Sequence, residues 1–277
     1  MGHDKLRKFA ENETFACLLQ PAAEELLADG YFNLRDHSIK GSWRDSMFKS
    51  DESSDLVLEL GCGKGEYTVD LALRNPDSNY IGVDIKGARL WKGAKFVTEN
   101  KISNAAFLRT RVEFITAFFA PGEVSEIWLT FSDPQFRSEN SRLSSPLFLE
   151  RYRRMLKKGG VVHLKTDSRF LHEYTLAVCK ANGLHVLACT KDLYAEERGG
   201  VIADEVFEVQ TFYEKLFLEQ NYKITYLSFV IDKEGEYISP SEEEFDSDYW
   251  RSVEGPRLLF GHDSAETRRQ KLKQSGD

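Results

Sequence analysis

The chain of 277 residues is 41% hydrophobic and 30% charged, with a formal net charge of −8. That length supports one large domain with a full core, or one domain with extensions. No apolar run approaches the ~18 residues of a membrane-spanning helix, and the opening MGHDKLRKFAENE lacks a signal-peptide core, so a cytoplasmic protein without membrane contact is expected.

The four cysteines (Cys17, Cys62, Cys179, Cys189) show neither C-x-x-C spacing nor a histidine at zinc-finger distance. Buried thiols and no metal are the expectation. The first fifty residues are mixed in character, with Gly41 to Phe48 (GSWRDSMF) the best candidate for a packed patch. They are read as an N-terminal extension (1–50) to a main domain (51–232).

The main domain opens on Asp55 to Gly65, DLVLELGCGKG: an apolar run, an acid at Glu59, then glycines at 61, 63 and 65. The run reads as a buried parallel strand, and Glu66 to Leu73 as the start of a helix. Glycines at such a junction let the backbone turn tightly against a ligand. The spacing is neither the G-x-G-x-x-G of a dinucleotide fold nor the G-x-x-x-x-G-K-[ST] of a P-loop. A carboxylate beside the loop repels phosphates and suits a cationic ligand. S-adenosyl-L-methionine, with sulfonium and ammonium groups, fits.

The next strand, Asn79 to Asp84 (NYIGVD), ends in an acid about 20 residues past the glycines, where ribose hydroxyls are held in nucleoside-binding folds. Capping of the following helix is the alternative role for Asp84. Further strands are predicted at Ala106 to Thr110, Glu126 to Phe131, Val161 to Lys165, His185 to Cys189 and Ile224 to Val230. Helices are predicted at Leu147 to Leu156, stopped by Lys157-Lys158-Gly159-Gly160, at Phe170 to Ala181 and at Thr211 to Glu219. This alternation implies an α/β fold with a mostly parallel sheet and helices on both faces. Residues 233–277 form a tail, acidic over EGEYISPSEEEFDSD and basic at RRQKLKQ. Both chain ends read as flexible or loosely docked.

Ligands of open α/β sheets sit at the carboxyl ends of the strands. Four candidate strand ends carry an acid: Glu59, Asp84, Asp133 in FSDPQFR and Asp167 in HLKTDS. Capping explains one such acid more readily than four. From Gln135 to Lys180 ten Lys or Arg face four Asp or Glu, and from Ile85 to Arg111 seven face one. Local basic surface of this kind draws a phosphate backbone whatever the net charge. For Lys86, Arg89, Lys92 and Lys95, a solvated helix face is an equal alternative.

Together, LELGCGKG, YIGVD, the FxDP loop, HLKTDS and the tetrapeptide Thr211-Phe212-Tyr213-Glu214 resemble the tRNA (guanine-N7)-methyltransferase family, in the variant found in Bacteroidetes. The resemblance covers roughly Gly41 to Val230. The T-x-Y-E element discriminates most, since generic methyltransferases lack it. The resemblance implies a Rossmann-like class I S-adenosylmethionine-dependent methyltransferase fold with a final antiparallel strand, and tRNA as partner. It implies that Glu59, Gly61, Gly63, Asp84 and Asp133 hold the cofactor, with Asp133 the central catalytic acid. Arg137, Asp167, Thr211, Phe212, Tyr213 and Glu214 would contact tRNA. The usual DPWP loop is replaced by Asp133-Pro134-Gln135-Phe136-Arg137, with Arg where Lys is usual, and Thr110 and Arg111 stand near the expected adenine position.

Guanine N7 carries a lone pair and no proton, so the chemistry needs alignment of nucleophile and methyl group more than a base. A nicotinamide-dependent dehydrogenase leaves T-x-Y-E unexplained, and a small-molecule or protein methyltransferase does not require the basic residues after Asp133. A non-catalytic RNA-binding module is the third alternative. Oligomeric state is not legible in the sequence.

Overall fold

The computed structural model describes residues 2–30, 33–254, 258–259 and 262–263. The basic stretch RRQKLKQ lies outside the described residues.

In chain order the strands of the main sheet are β1 (Leu18–Leu19), β2 (Leu56–Leu60), β3 (Asn79–Asp84), β4 (Ala105–Arg109), β5 (Val124–Thr130), β6 (Leu156–Thr166), β7 (Val186–Thr190) and β8 (Thr225–Val230), and Leu258–Leu259 pairs separately with His262–Asp263. The α-helices are α1 (Gly2–Asn12), α2 (Ala23–Leu26), α3 (Glu66–Arg74), α4 (Gly87–Glu99), α5 (Pro146–Arg153), α6 (Arg169–Ala181), α7 (Asp204–Glu208), α8 (Phe212–Glu219) and α9 (Ser247–Glu254). The eight strands form one sheet in the order β1-β4-β3-β2-β5-β6-β8-β7. All neighbours pair in parallel except β8, which runs antiparallel to both β6 and β7. Strand order reverses between β2 and β5, which makes a crevice at their carboxyl ends.

Strands β2 and β3 are buried at every position because helices cover both faces, which is why LVLEL and NYIGVD read as continuous runs without alternation. One core lies around Leu58, Ile127, Leu129 and Phe170, the other around Tyr67, Phe107 and Trp128.

The helix expected over 147–156 ends at Arg153, and Lys157 to Gly160 begin β6 instead of stopping the helix. Leu156 pairs with Val124 ahead of an irregularity, and regular pairing resumes at Val161 with Glu126. Lys157 to Gly160 form the irregularity itself, with Gly159 at φ +76°, so the glycines bend the strand without ending it.

Neither the N-terminal segment nor the stretch from 237 to 254 is loosely docked. Strand β1 adds to the sheet edge beside β4, and α1 packs on α4 through Asn12 Nδ2 donating to Gly87 O at 2.9 Å. Trp43 is fully buried, donates to Phe118 O at 2.8 Å and stacks on Phe119, so Gly41 to Phe48 is a packed patch. Within the acidic stretch, Tyr237 and Phe245 enter the first core, and α9 lies against α6. Apolar anchors spaced through the acidic run outweigh its solvation.

Candidate active site

The strand order β3-β2-β5-β6 brings Asp84, Glu59, Asp133 and Asp167 to the carboxyl ends of four neighbouring strands. These acids meet quite different surroundings.

Glu59 is buried beneath the glycine loop. Its Oε2 accepts from the backbone N–H and the hydroxyl of Thr68 on α3, and its Oε1 accepts from the Thr130 hydroxyl at the end of β5. Burial pushes its carboxyl up to about 7, against the opposing pull of the Thr130 and Thr68 hydrogen bonds. Of its roughly four lone-pair sites, three are taken, leaving one on Oε1. Glu59 thus joins β2, α3 and β5 at the switch point.

Asp84 meets the loop from β3. Its Oδ2 accepts from Gly63 N at 3.0 Å and its Oδ1 from Lys86 N at 2.7 Å. It therefore braces the glycine turn and the turn into α4 together, so the helix-entry role and a ligand-facing place coexist. Two glycines of the loop have distinct reasons. At Gly65 (φ +71°) a Cβ would collide with the Phe107 ring. At Gly63 (φ +60°) a Cβ would meet nothing within 4 Å, so that position opens onto space beside the Asp84 carboxylate.

Asp133 is exposed, past the end of β5, and its Oδ1 accepts from Gln135 N at 2.9 Å. Two non-glycine residues of this loop sit in the left-handed region, Phe131 (φ 49°) and Gln135 (φ 48°). Such positions cost about 1–3 kcal/mol each and persist only where surrounding structure enforces them. Asp167, half-buried, follows β6, and Arg137 is exposed on the Asp133 loop. Thr110 is buried and Arg111 exposed, both just past β4.

The Thr211 to Glu214 element divides. Thr211 is the N-cap of α8, its Oγ1 accepting from Glu214 N at 3.1 Å. Phe212 and Tyr213 are exposed, and Lys64 of the glycine loop lies over both rings at 5.2 and 5.7 Å. Phe212 N donates to Glu66 Oε2, which ties α8 to the first turn of α3. Glu214, in contrast, is 0% exposed, and its carboxylate does not reach a substrate surface. Its Oε1 lies 2.8 Å from Lys165 Nζ and accepts from Tyr194 OH at 2.6 Å. Lys165 is equally buried and also donates to Val206 O and Val209 O. Burial lowers the Lys165 ammonium and raises the Glu214 carboxyl, partly countered by their mutual attraction.

The basic run from 135 to 180 also separates. Arg142 is 4% exposed, packed over the Phe170 and Tyr174 rings at 4.7 and 4.3 Å. Lys157, at the amino end of β6, pairs with Asp55. Most of the 11-residue β6 separates it from Asp167, and a strand advances about 3.3 Å per residue. On α4, Lys92 pairs with Glu66 and Lys95 with Glu99. Among the described residues, no group of three or more His, Cys, Asp or Glu is arranged to hold a metal ion, and no helix is long and apolar enough to cross a membrane.

Sequence reasoning missed Thr68, Thr130 and Lys165, and it read Arg142 of the basic run as RNA-facing surface, whereas the Phe170 and Tyr174 rings cover that side chain. Lys165 had a visible signal, since it sits inside HLKTDS.

A family model described as "Putative methyltransferase" matches residues 53–227. The curated tRNA (guanine-N(7)-)-methyltransferase of Christiangramia forsetii is 49% identical over 230 residues, covering 82% of this chain and 98% of that protein. The protein of the same name from Bacteroides fragilis is 44% identical over 252 residues, covering 91% and 95%. Among solved structures, the 16S rRNA methyltransferase KamB superposes with a TM-score of 0.52 at 15% identity, covering 74% of this chain and 96% of that one, a likeness of fold alone.

Proposed function

The chain belongs to the tRNA (guanine-N(7)-)-methyltransferase family, and from that premise we propose how its residues move a methyl group from S-adenosyl-L-methionine to N7 of a guanine in tRNA. The fold is that of the class I S-adenosylmethionine-dependent methyltransferases. We further place the target guanine in the variable loop of tRNA.

The residues present suit that cofactor. The space beyond Gly63 is bordered by the Asp84 carboxylate, so the local field favours cations and disfavours a pyrophosphate. Asp84, with Gly61 and Gly63, would hold the cofactor there, and Glu59 would support the site from below through its hydrogen bonds to Thr68 and Thr130. S-adenosyl-L-methionine supplies the electrophilic methyl group when bound.

The chain's own work is orientation and electrostatics. Guanine N7 presents a lone pair without a proton, so no side chain has to remove one before transfer. Asp133 is the acid whose carboxylate reaches solvent at the crevice, and only its Oδ1 is used by Gln135 N. Its Oδ2 side can accept from the guanine N1 and N2 donors and balance the charge that develops on the methylated purine. Arg137, Asp167, Thr211 and the exposed Phe212 and Tyr213 rings border the same end of the sheet and would receive the tRNA around that base. In this reading Glu214 acts by holding α8 in place and touches no RNA.

The exposed acid just past the end of β5, the strand next to β2 and its glycine loop, carries the assignment. Incubating the purified chain with methyl-labelled cofactor and unmodified tRNA, followed by nucleoside analysis, tests it. The expected product is 7-methylguanosine. Label in N1- or N2-methylguanosine, or in protein only, would overturn the reading.

A further inference from the structure

We infer that the C-terminal arm, residues 237–254, is a working part of the active site: with Arg142 it sets the conformation of the loop that carries Asp133. The arm lies beyond the residues matched by the family model, which end at 227. The inference rests on the reading of Asp133 given above.

The loop needs outside support. It holds Phe131 and Gln135 at positive φ, and its one proline, Pro134, leaves the stretch from Gln135 onward without a ring to fix φ. Two guanidinium groups supply that support. Arg142 Nε donates to Gln135 O at 3.3 Å and Arg142 Nη2 to Phe136 O at 3.4 Å. From the arm, Arg251 Nη2 donates to the same Phe136 carbonyl at 3.2 Å. Gln135 is also the residue whose N–H binds Asp133 Oδ1, so the peptide that orients the acid is followed directly by the two carbonyls these arginines fix.

The arm is itself anchored. Phe136 packs edge-on to Phe170 with ring centroids 4.9 Å apart, and Phe245 packs edge-on to Phe170 and Tyr174 at 5.2 and 5.4 Å. The Glu254 carboxylate accepts from Phe170 N at 3.1 Å, in the first turn of α6. Arg251 Nη1 is held by Asp248 at 3.0 Å and Nη2 by Ser247 Oγ at 3.1 Å, which aims the guanidinium across to the loop. Aromatic packing thus fixes the arm on α6, and Arg251 transmits that position to the loop. Arg251 is a positioning residue in this scheme and touches no substrate.

Arg251→Ala in the full-length chain is the direct test, because the side chain is 42% exposed and its removal leaves the core intact. Single-turnover methylation of tRNA should slow on the order of tenfold, less than the roughly 100-fold that a ~1 Å misplacement can cost. Cofactor affinity, tRNA affinity and the thermal midpoint should change little, and Arg251→Lys, which keeps a donor for Phe136 O, should recover most of the rate. An unchanged single-turnover rate would overturn the inference. So would a raised tRNA dissociation constant with a flatter salt dependence at constant rate, since that would make the arm an RNA contact. Asp133→Asn in the same assay separates the premises: a loss there with none in Arg251→Ala sinks only the role of the arm, while a normal rate in Asp133→Asn sinks the reading of Asp133.

Discussion

Lys165 Nζ and Glu214 Oε1 lie 2.8 Å apart with both side chains fully buried, linking the end of β6 to the first turn of α8. Lys165 stands two residues before Asp167, and Glu214 one residue after Tyr213. The pair therefore fixes the spacing between two parts of the proposed tRNA surface.

Removing one partner strands a buried charge, which typically costs about 3–5 kcal/mol, whereas replacing both by apolar residues is often close to neutral. Lys165→Met and Glu214→Leu should each lower the thermal midpoint strongly, and the double variant should regain much of that loss. The double variant should still show a raised KM for tRNA with near-normal cofactor affinity, because α8 loses its tie to β6. Full recovery of the tRNA KM alongside stability would reduce the pair to a packing element.

Glu59 makes stability depend on pH in an unusual direction. Its carboxyl stands at about 7 in the folded protein, against an ordinary 4.5, because of burial. Between those values the folded state holds a proton that the unfolded chain releases, so this contribution is full below about 4.5 and is lost as pH rises through about 7. At about 1.36 kcal/mol per pKa unit it is on the order of 3 kcal/mol. Glu59→Gln keeps the shape and cannot titrate. Thermal melts of both proteins from pH 5 to 8 should show the wild type losing stability relative to the variant as pH rises. Parallel curves would mean that Glu59 is ionised throughout.

Arg137 and Arg142, close in sequence, should behave oppositely. Arg137→Ala should raise the KM for tRNA and reduce the log–log salt slope by about 0.7–0.9 if one phosphate contact is lost. Arg142→Ala removes a guanidinium packed on two aromatic rings and bonded to two loop carbonyls, so it should lower the thermal midpoint and turnover together. Salt titrations of tRNA binding on both variants check this. A flatter slope for Arg142→Ala would place that side chain on the RNA.

The centre of the sheet was legible because β2 and β3 are buried runs that lead into a glycine and an acid. The strand at Val161 to Lys165 was read five residues short at its amino end, since Lys157 to Gly160 imitate a helix stop and in the structure bulge between the paired Leu156 and Val161. The acids were legible as a set because topology places successive strand ends on one side. Their division of labour was not. Thr211-Phe212-Tyr213-Glu214 has the spacing of a helix capping box, and Thr211 does cap α8, yet Glu214 turns to a lysine 49 positions earlier in the chain. Arg142 shows the same limit: a charge in a basic run reads as surface until the aromatic rings that cover it are brought in from α6.

Asp133 offers the sharpest separation between orienting a base and removing a proton. Guanine N7 has no proton to lose, so Asp133→Asn should fail because an amide oxygen carries no charge to balance the purine cation and its amino group repels the guanine donors. The Gln135 N–H can still be accepted by the amide oxygen, so the loop should keep its shape. Cofactor binding should then stay near wild type while turnover falls on the order of 100-fold or more, the size seen when an electrostatic stabiliser is removed. Calorimetry with the cofactor and turnover on saturating tRNA read both effects. A normal rate would remove Asp133 from the reaction, and an equally large loss of cofactor affinity would make it a cofactor ligand instead.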